Sequence, residues 1–260
     1  MQLTVFVDRT DMATNGESPL RTRLRLWTTS PRPARGPAPS YTREQIADAA
    51  IAIADSEGLD AVTMRRVATE LGTGAMSLYR YVANKESLIE LVADRMYARQ
   101  EWPEPTGRWR RDLRKLAHAY RDVLRAHPWL LRVWGSRPVL GPNALRYFER
   151  SLELVDGLGL DIDEMMETVL LVGTWTVGHV RQELDLAEVF GAEPDAEEAE
   201  RALDAYVRKI ADSGEYPYFT RFVTESLLSR LDAEALFDRA LDRLLTGIEA
   251  TVADRGGTRS

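Results

Sequence analysis

Residues 63–92 read TMRRVATELGTGAMSLYRYVANKESLIELV, and this stretch decides the fold. Met64, Val67, Ala68 and Leu71 recur at three- and four-residue spacing, which places them on one face of a short helix. Thr63, just ahead of them, is a good N-cap residue. Gly72-Thr73-Gly74 then breaks the chain tightly. A second short helix is predicted over 75–82, with Ala75, Leu78, Tyr79 and Val82 on its inward face. Asn84 caps a further helix whose apolar positions are Leu88, Ile89, Leu91, Val92 and Met96. Two short helices across a glycine-containing break form the helix-turn-helix pattern.

The pattern has a geometric logic. The first short helix braces against a DNA backbone, and the second offers side chains to base edges in the major groove. On the second helix Met76, Ser77 and Arg80 point outward, with Tyr81 at the flank and Thr73 in the turn. Serine can donate or accept, arginine can fork onto guanine, and methionine can touch a thymine methyl. Arg65 and Arg66 on the preceding helix are candidate phosphate contacts. Asn84-Lys85 opens a helix, so exposed amides and an ammonium converge on one anion site. Three packed helices with a solvated face would show the same generic pattern.

Upstream, Thr42 followed by Gln45 is a capping-box signal. Ile46, Ala49, Ala50, Ile53 and Ala54 make one helical face that ends at Gly58. Residues 1–40 are expected to be a disordered basic arm, with Pro31, Pro33, Pro37 and Pro39 among Arg21, Arg23, Arg25, Arg32 and Arg35. Such an arm can lie along phosphates or reach into a minor groove. It reads equally well as a solvated tail or as residues ahead of a start at Met12. Downstream, helices are predicted over 108–126, 129–135, 142–157, 161–187, 196–212, 216–229 and 232–253. A mobile acidic loop is expected at Asp195-Ala196-Glu197-Glu198. No stretch alternates as strands do. The expected fold is all-α, with a helix-turn-helix domain over 41–87 and a helical ligand-binding and dimerisation domain over 88–260.

The net charge is −7 in 260 residues, but its distribution matters more than its sum. Arg and Lys outnumber Asp and Glu by 12 to 9 over residues 20–100, so the acidic excess lies downstream. The absence of cysteine excludes disulfides and thiolate metal sites. No apolar run is long enough for a membrane span, and Leu3-Thr4-Val5-Phe6-Val7 is too short for a secretory core. The chain therefore reads as cytoplasmic. No His-Glu-x-x-His and no phosphate-binding glycine loop is present, and no nucleophile–base pair stands out. The sequence points away from an enzyme and shows neither a metal set nor a cofactor motif. Of the three histidines, His127 sits at a helix end, while His118 and His179 lie within helices. These last two are either satisfied core residues or ligand contacts.

The stretch 63–92 closely resembles the DNA-binding signature of the tetracycline-repressor (TetR) family. Thr63, Val67-Ala68, Leu71-Gly72, Leu78-Tyr79, Tyr81-Val82, Asn84-Lys85 and Leu88 carry the likeness, which covers about residues 42–97. The resemblance implies that Tyr79 packs its ring and reaches a phosphate with its hydroxyl, and that Lys85 touches the backbone. Gly74 stands where many members carry a capping serine, a loss of only a few tenths of a kcal/mol.

More weakly, residues 108–250 resemble the ligand-binding domain of the tetracycline repressor. Leu113-Arg114, Tyr120-Arg121, Val133-Trp134-Gly135-Ser136-Arg137-Pro138, Val172-Gly173 and Val177-Gly178 carry this likeness. It implies a helical ligand pocket and a homodimer built by two long helices, about 161–187 and 232–253. That repressor binds a magnesium chelate of its drug. Trp134 takes the place of the expected histidine, Gln182 that of the acid (with Glu183 adjacent), and Leu116 that of a pocket amide. The chelate chemistry is therefore expected to be lost. Leu116, Tyr120, Trp134, Tyr147, Trp175 and His179 suggest a more apolar, aromatic pocket. The expected function is a homodimeric repressor that a small apolar or aromatic ligand releases from a palindromic DNA operator. The alternative is an activator or ligand-independent regulator of the same fold.

Overall fold

Every regular element among the described residues of the computed structural model is helical; these residues are 19–28, 41–134, 139–191, 196–225 and 232–257. They fall into two compact units. One is formed by the described residues of Met1–Trp102 and Trp129–Arg150, the other by those of Pro103–Pro128 and Ser151–Ser260.

In the first unit, α1 (Pro19–Thr28), α2 (Arg43–Glu57), α3 (Met64–Glu70), α4 (Ala75–Leu78) and α5 (Lys85–Arg99) follow one another. Helix α5 is the organiser. Its Leu88, Val92, Ala93 and Met96 are fully buried, and α1 and α2 pack against it. Burying each of the larger side chains contributes roughly 1.5–3 kcal/mol. Ile46, Ala47, Ala50 and Ile53 supply the facing stripe of α2.

The expected caps are present. Thr42 and Gln45 form a reciprocal capping box at α2, Thr63 accepts from the Arg66 amide at 3.1 Å, and Asn84 accepts from the Ser87 amide at 2.9 Å. The turn between α3 and α4 is a Schellman motif. The Thr73 amide donates to the Ala68 carbonyl and the Gly72 amide to that of Thr69. Gly72 adopts φ 66°, a left-handed conformation in which glycine is favoured.

Three expectations change here. The stretch 1–40 was expected to lack order, yet Pro19–Thr28 is helical, with Leu26 buried and the Arg23 guanidinium 2.8 Å from the buried Glu90 carboxylate. The rest of that arm lies outside the described residues. The helix expected over 75–82 ends at Leu78, and Tyr79 to Tyr81 form turns. Gly74 provides no side chain to cap the start of α4, so little beyond packing of Leu78 and Val82 holds it. The helix expected over 129–135 is a 3-10 turn, Pro128–Arg132, and residues 135–138 lie outside the described residues.

The first unit also takes in the start of α7 (Pro142–Glu153). Asp94 of α5, only 2% exposed, accepts from the amides of Asn143 and Ala144, each at 2.9 Å, and from Asn143 Nδ2 at 2.8 Å. It thereby satisfies orphan donors at the N-terminus of α7. Burial still pushes the Asp94 carboxyl above its usual range, despite those hydrogen bonds. One turn earlier, Glu90 holds Arg23 on one side and the Leu140 amide, at 3.0 Å, on the other.

The second unit packs α6 (Trp109–Ala126), α8 (Ile162–Gly191) and α11 (Ala233–Gly257) together. Leu113, Leu116 and Leu124 of α6, Val169, Val172 and Val180 of α8, and Phe237, Leu241 and Leu245 of α11 form its core. Helices α9 (Ala196–Ser213) and α10 (Pro217–Glu225) pack on each other. Of the acidic loop expected at 195–198, Ala196–Glu198 begin α9, and Asp195 lies outside the described residues.

Candidate functional site

The helix-turn-helix face is built by α3, α4 and the first turn of α5. Met76 is 79% exposed, and Arg65, Arg80 and Lys85 are exposed as well. Thr63 is exposed and caps α3, while Thr73, Ser77 and Tyr81 are half-buried. Leu78 and Val82 are buried behind them. The inward and outward faces read from the sequence are therefore present, apart from Tyr79. Its ring was expected to pack, yet Tyr79 is 48% exposed, just past the end of α4 at Leu78. Arg65 and Arg80 have no carboxylate partner among the described residues, so both guanidinium groups are available.

Arg66 differs. Its guanidinium spans Glu57 of α2 at 2.7 Å and Glu70 at 2.8 Å. Hydrogen bonds to Glu57 and then Glu70 raise its pKa further above the ordinary arginine range. It bridges α2 and α3 rather than standing open to an anion. The Tyr41 hydroxyl, donating to the Leu71 carbonyl at 2.6 Å, fastens the end of α3 to the start of α2.

Side chains that the sequence did not single out fix this face from behind. Asp48 of α2 takes a fork from Arg95 of α5 at 2.8 and 2.9 Å. Asp55 accepts from the Trp129 indole at 2.7 Å. Asp60 takes a second fork from Arg132 at 2.9 and 3.0 Å, which holds its carboxyl below the usual range. Helix α2 and the Leu59–Ala61 turn are thus tied within their own unit to Trp129 and Arg132.

Four of the six residues expected to line a ligand pocket fall into two aromatic clusters, one in each unit. In the first unit, Trp134 stacks on Tyr97 with ring centroids 4.4 Å apart. Tyr147 lies 4.9 Å from Tyr97 and 4.5 Å from Trp102. In the second unit, Trp175, His179 and Phe237 lie pairwise at 5.1–5.2 Å. Leu116 and Tyr120 are buried in the core stripe of α6. Sequence reasoning missed Tyr97, Trp102 and Phe237. Tyr97 and Phe237 sit at helical spacings typical of core, Trp102 follows the end of α5, and only their spatial neighbours distinguish them.

Beneath the second cluster lies Arg121, whose side chain is wholly buried. It holds both oxygens of Glu183, at 3.1 and 3.2 Å, and also pairs with Glu234. Burial works against its charge, and the hydrogen bonds to Glu183 and Glu234 more than offset this. Glu183, beside the position where the related repressor carries an acid, is thereby engaged as an ion-pair partner. Burial lowers the His179 pKa, with Glu183 opposing and Arg121 adding to the shift. The lowered pKa favours the neutral ring, which can both donate and accept.

A buried three-helix unit presenting Arg, Met and Lys beside a short exposed helix is the architecture of a DNA-reading regulator. Comparison with known proteins names its kind. Residues 46–92 match the family described as bacterial regulatory proteins, tetR family, and residues 103–252 match the tetracyclin repressor-like C-terminal domain. The chain belongs to the TetR family of DNA-binding transcriptional regulators, a non-enzymatic family. It is 40% identical over 241 residues to the HTH-type transcriptional repressor DrrR1 of Streptomyces coeruleorubidus, covering 91% of this chain and 88% of that one. Crystal structures of the Streptomyces coelicolor TetR family protein ActR are also similar. The complex with (S)-DNPA has TM-score 0.68 at 30% identity, over 82% of this chain and 99% of ActR. The complex with actinorhodin has TM-score 0.67 at 29% identity, over 82% of this chain and 97% of ActR. Among the described residues, no helix is long and apolar enough to cross a membrane.

Proposed function

We propose that this chain is a homodimeric repressor, acting in the cytoplasm, that a small aromatic ligand releases from a palindromic operator. The observation that carries the DNA half is the exposed face of Arg65, Met76, Arg80 and Lys85 over buried Leu78 and Val82. Residues 41–87 read DNA, with Arg80, Met76 and Ser77 toward bases and Arg65, Tyr79 and Lys85 toward phosphates. Residues 88–260 carry ligand and partner. The likeness to a protein named a repressor supports the direction of control.

The two ring clusters, and the likeness to ActR crystallised with actinorhodin and with (S)-DNPA, support an aromatic ligand. The dimer reading rests on a groove of about 480 Å³ along α8 and α11, where Leu171, Leu244, Ile248 and Val252 are interspersed with Glu164, Glu167 and Arg243. Leu171 in that lining and Leu170 beside it are about half exposed, as a helix face awaiting a second copy would be.

The test is a titration of purified protein against the DNA flanking its own coding region, at several salt concentrations. Tight, salt-dependent binding with two protomers per palindrome, reversed by a planar aromatic ligand, is expected. Binding no stronger than to random DNA would remove the operator reading. Tight binding that no such ligand reverses would favour the ligand-independent alternative.

A further inference from the structure

We propose that His118, Glu234 and Asp238 form a binding site for a divalent cation of the zinc type, which joins α6 to α11. His118 stands on α6, and Glu234 and Asp238 lie four residues apart on one face of α11. One ligand atom from each lies within 4.8 Å of the other two. Nε2 of His118 is 2.8 Å from Asp238 Oδ1, and Nδ1 is 3.4 Å from Glu234 Oε1.

The surroundings explain why this cluster suits a metal. Helices α6 and α11 are joined by a ladder of ion pairs. Arg110 holds Asp242 and Glu249, Arg114 holds Asp242, and Arg121 holds Glu234. At the His118 rung an imidazole stands where its neighbours have guanidinium groups. Its two ring nitrogens face different carboxylates, Nε2 that of Asp238 and Nδ1 that of Glu234. One ring nitrogen and one oxygen from each carboxylate lie within 4.8 Å of one another, so a divalent cation bound at that nitrogen can draw in both carboxylates.

Only one ring nitrogen can ligate a single ion, so the carboxylate now facing the other nitrogen must turn toward it. Metal–ligand bonds of about 2.0–2.2 Å in a tetrahedral site place ligand atoms roughly 3.3 Å apart. The histidine–Asp238 contact is already close to that spacing. The side chains of Glu234 and Asp238 are 56% and 50% exposed, so their carboxylates can turn without disturbing the core. The open side leaves room for water as the remaining ligand. Arg121 engages the other oxygen of Glu234, and Phe237 lies edge-on to the imidazole at 5.1 Å, so both ligands are oriented from behind. An imidazole with carboxylates favours zinc, nickel, cobalt or copper, whereas magnesium and calcium prefer oxygen-only sets.

The experiment is isothermal titration of the chelator-stripped full chain with Zn²⁺, with Mg²⁺ as the control ion. The chain has three histidines and no cysteine, so competing sites are few. One zinc per chain is expected, with affinity at least tenfold weaker in both His118→Gln and Asp238→Asn. Saturating zinc should raise the melting temperature of the unaltered chain by about 5 °C, and of neither variant. Should one variant not fold, the other carries the comparison. Absence of a one-to-one site, equal affinity in the variants, or magnesium binding as tightly as zinc would overturn the proposal.

Discussion

The guanidinium carbon of Arg121 stands 4.6 Å from the centre of the Phe237 ring, with the carboxylate of Glu183 at its edge. A wholly buried arginine is thereby held by a π face and an ion pair. Removing it leaves the largely buried Glu183 with only its longer pair to Arg125, at 3.4 Å, which costs far more than the pair with Arg121 itself contributes. Arg121→Ala should lower stability by about 3–5 kcal/mol, read from urea unfolding. Arg121→Lys should fall between the two, since an ammonium has no planar fork for both carboxylate oxygens. A loss below 1 kcal/mol in the alanine variant would mean that Glu183 finds water or another cation.

Gly141 lies against Asp94. A β-carbon added there would overlap the Asp94 carboxylate, which is fixed by three donors at the start of α7. Gly141→Ala should destabilise by about 1–3 kcal/mol, the usual range for overpacking. A thermal melt superimposable on that of the unaltered chain would show that the 139–141 segment shifts freely.

On the DNA face, two substitutions should separate two roles. Arg80→Ala should weaken operator binding by about 1–3 kcal/mol and relax base preference. Lys85→Ala should weaken binding to all sequences alike and reduce the salt slope by about one. Fluorescence anisotropy with operator and scrambled duplexes checks both; identical profiles would end the division into base and phosphate contacts.

His179 sets a pH window. Its folded pKa lies below the unfolded value of 6.5, mainly through burial, so the unfolded chain binds more protons between the two. Its contribution to stability is complete above pH 6.5 and falls as pH drops toward the folded value. Melts from pH 7.5 down to pH 5 should therefore lose more stability in the unaltered chain than in His179→Phe. A parallel decline in both would assign the acid sensitivity to other groups.

The local part of this architecture was legible in the sequence. Thr42, Thr63 and Asn84 cap the helices they were expected to cap, because a cap is decided within four residues. The inward and outward faces around Leu78 and Val82 followed from spacing alone. Helix α1 was not legible, since proline-rich sequence downstream masked a segment stabilised by a distant pair, Arg23 with Glu90. Nor was the short reach of α4, which depends on tertiary support rather than on its own pattern. The meeting of His118 with Glu234 and Asp238 joins positions more than 110 residues apart. No spacing rule reaches that far. The aromatic residues were readable as a set but not as neighbours, and the structure groups them into two clusters.

Glu90 has one carboxylate and two obligations, one oxygen serving Arg23 of α1 and the other the Leu140 amide ahead of α7. Positions 23 and 140 are therefore not free to drift separately. Any change that repositions one of them is felt at the other through a single side chain. A truncation made to remove the N-terminal arm, and a substitution made to loosen the 139–141 segment, would strip the same buried charge of part of its support.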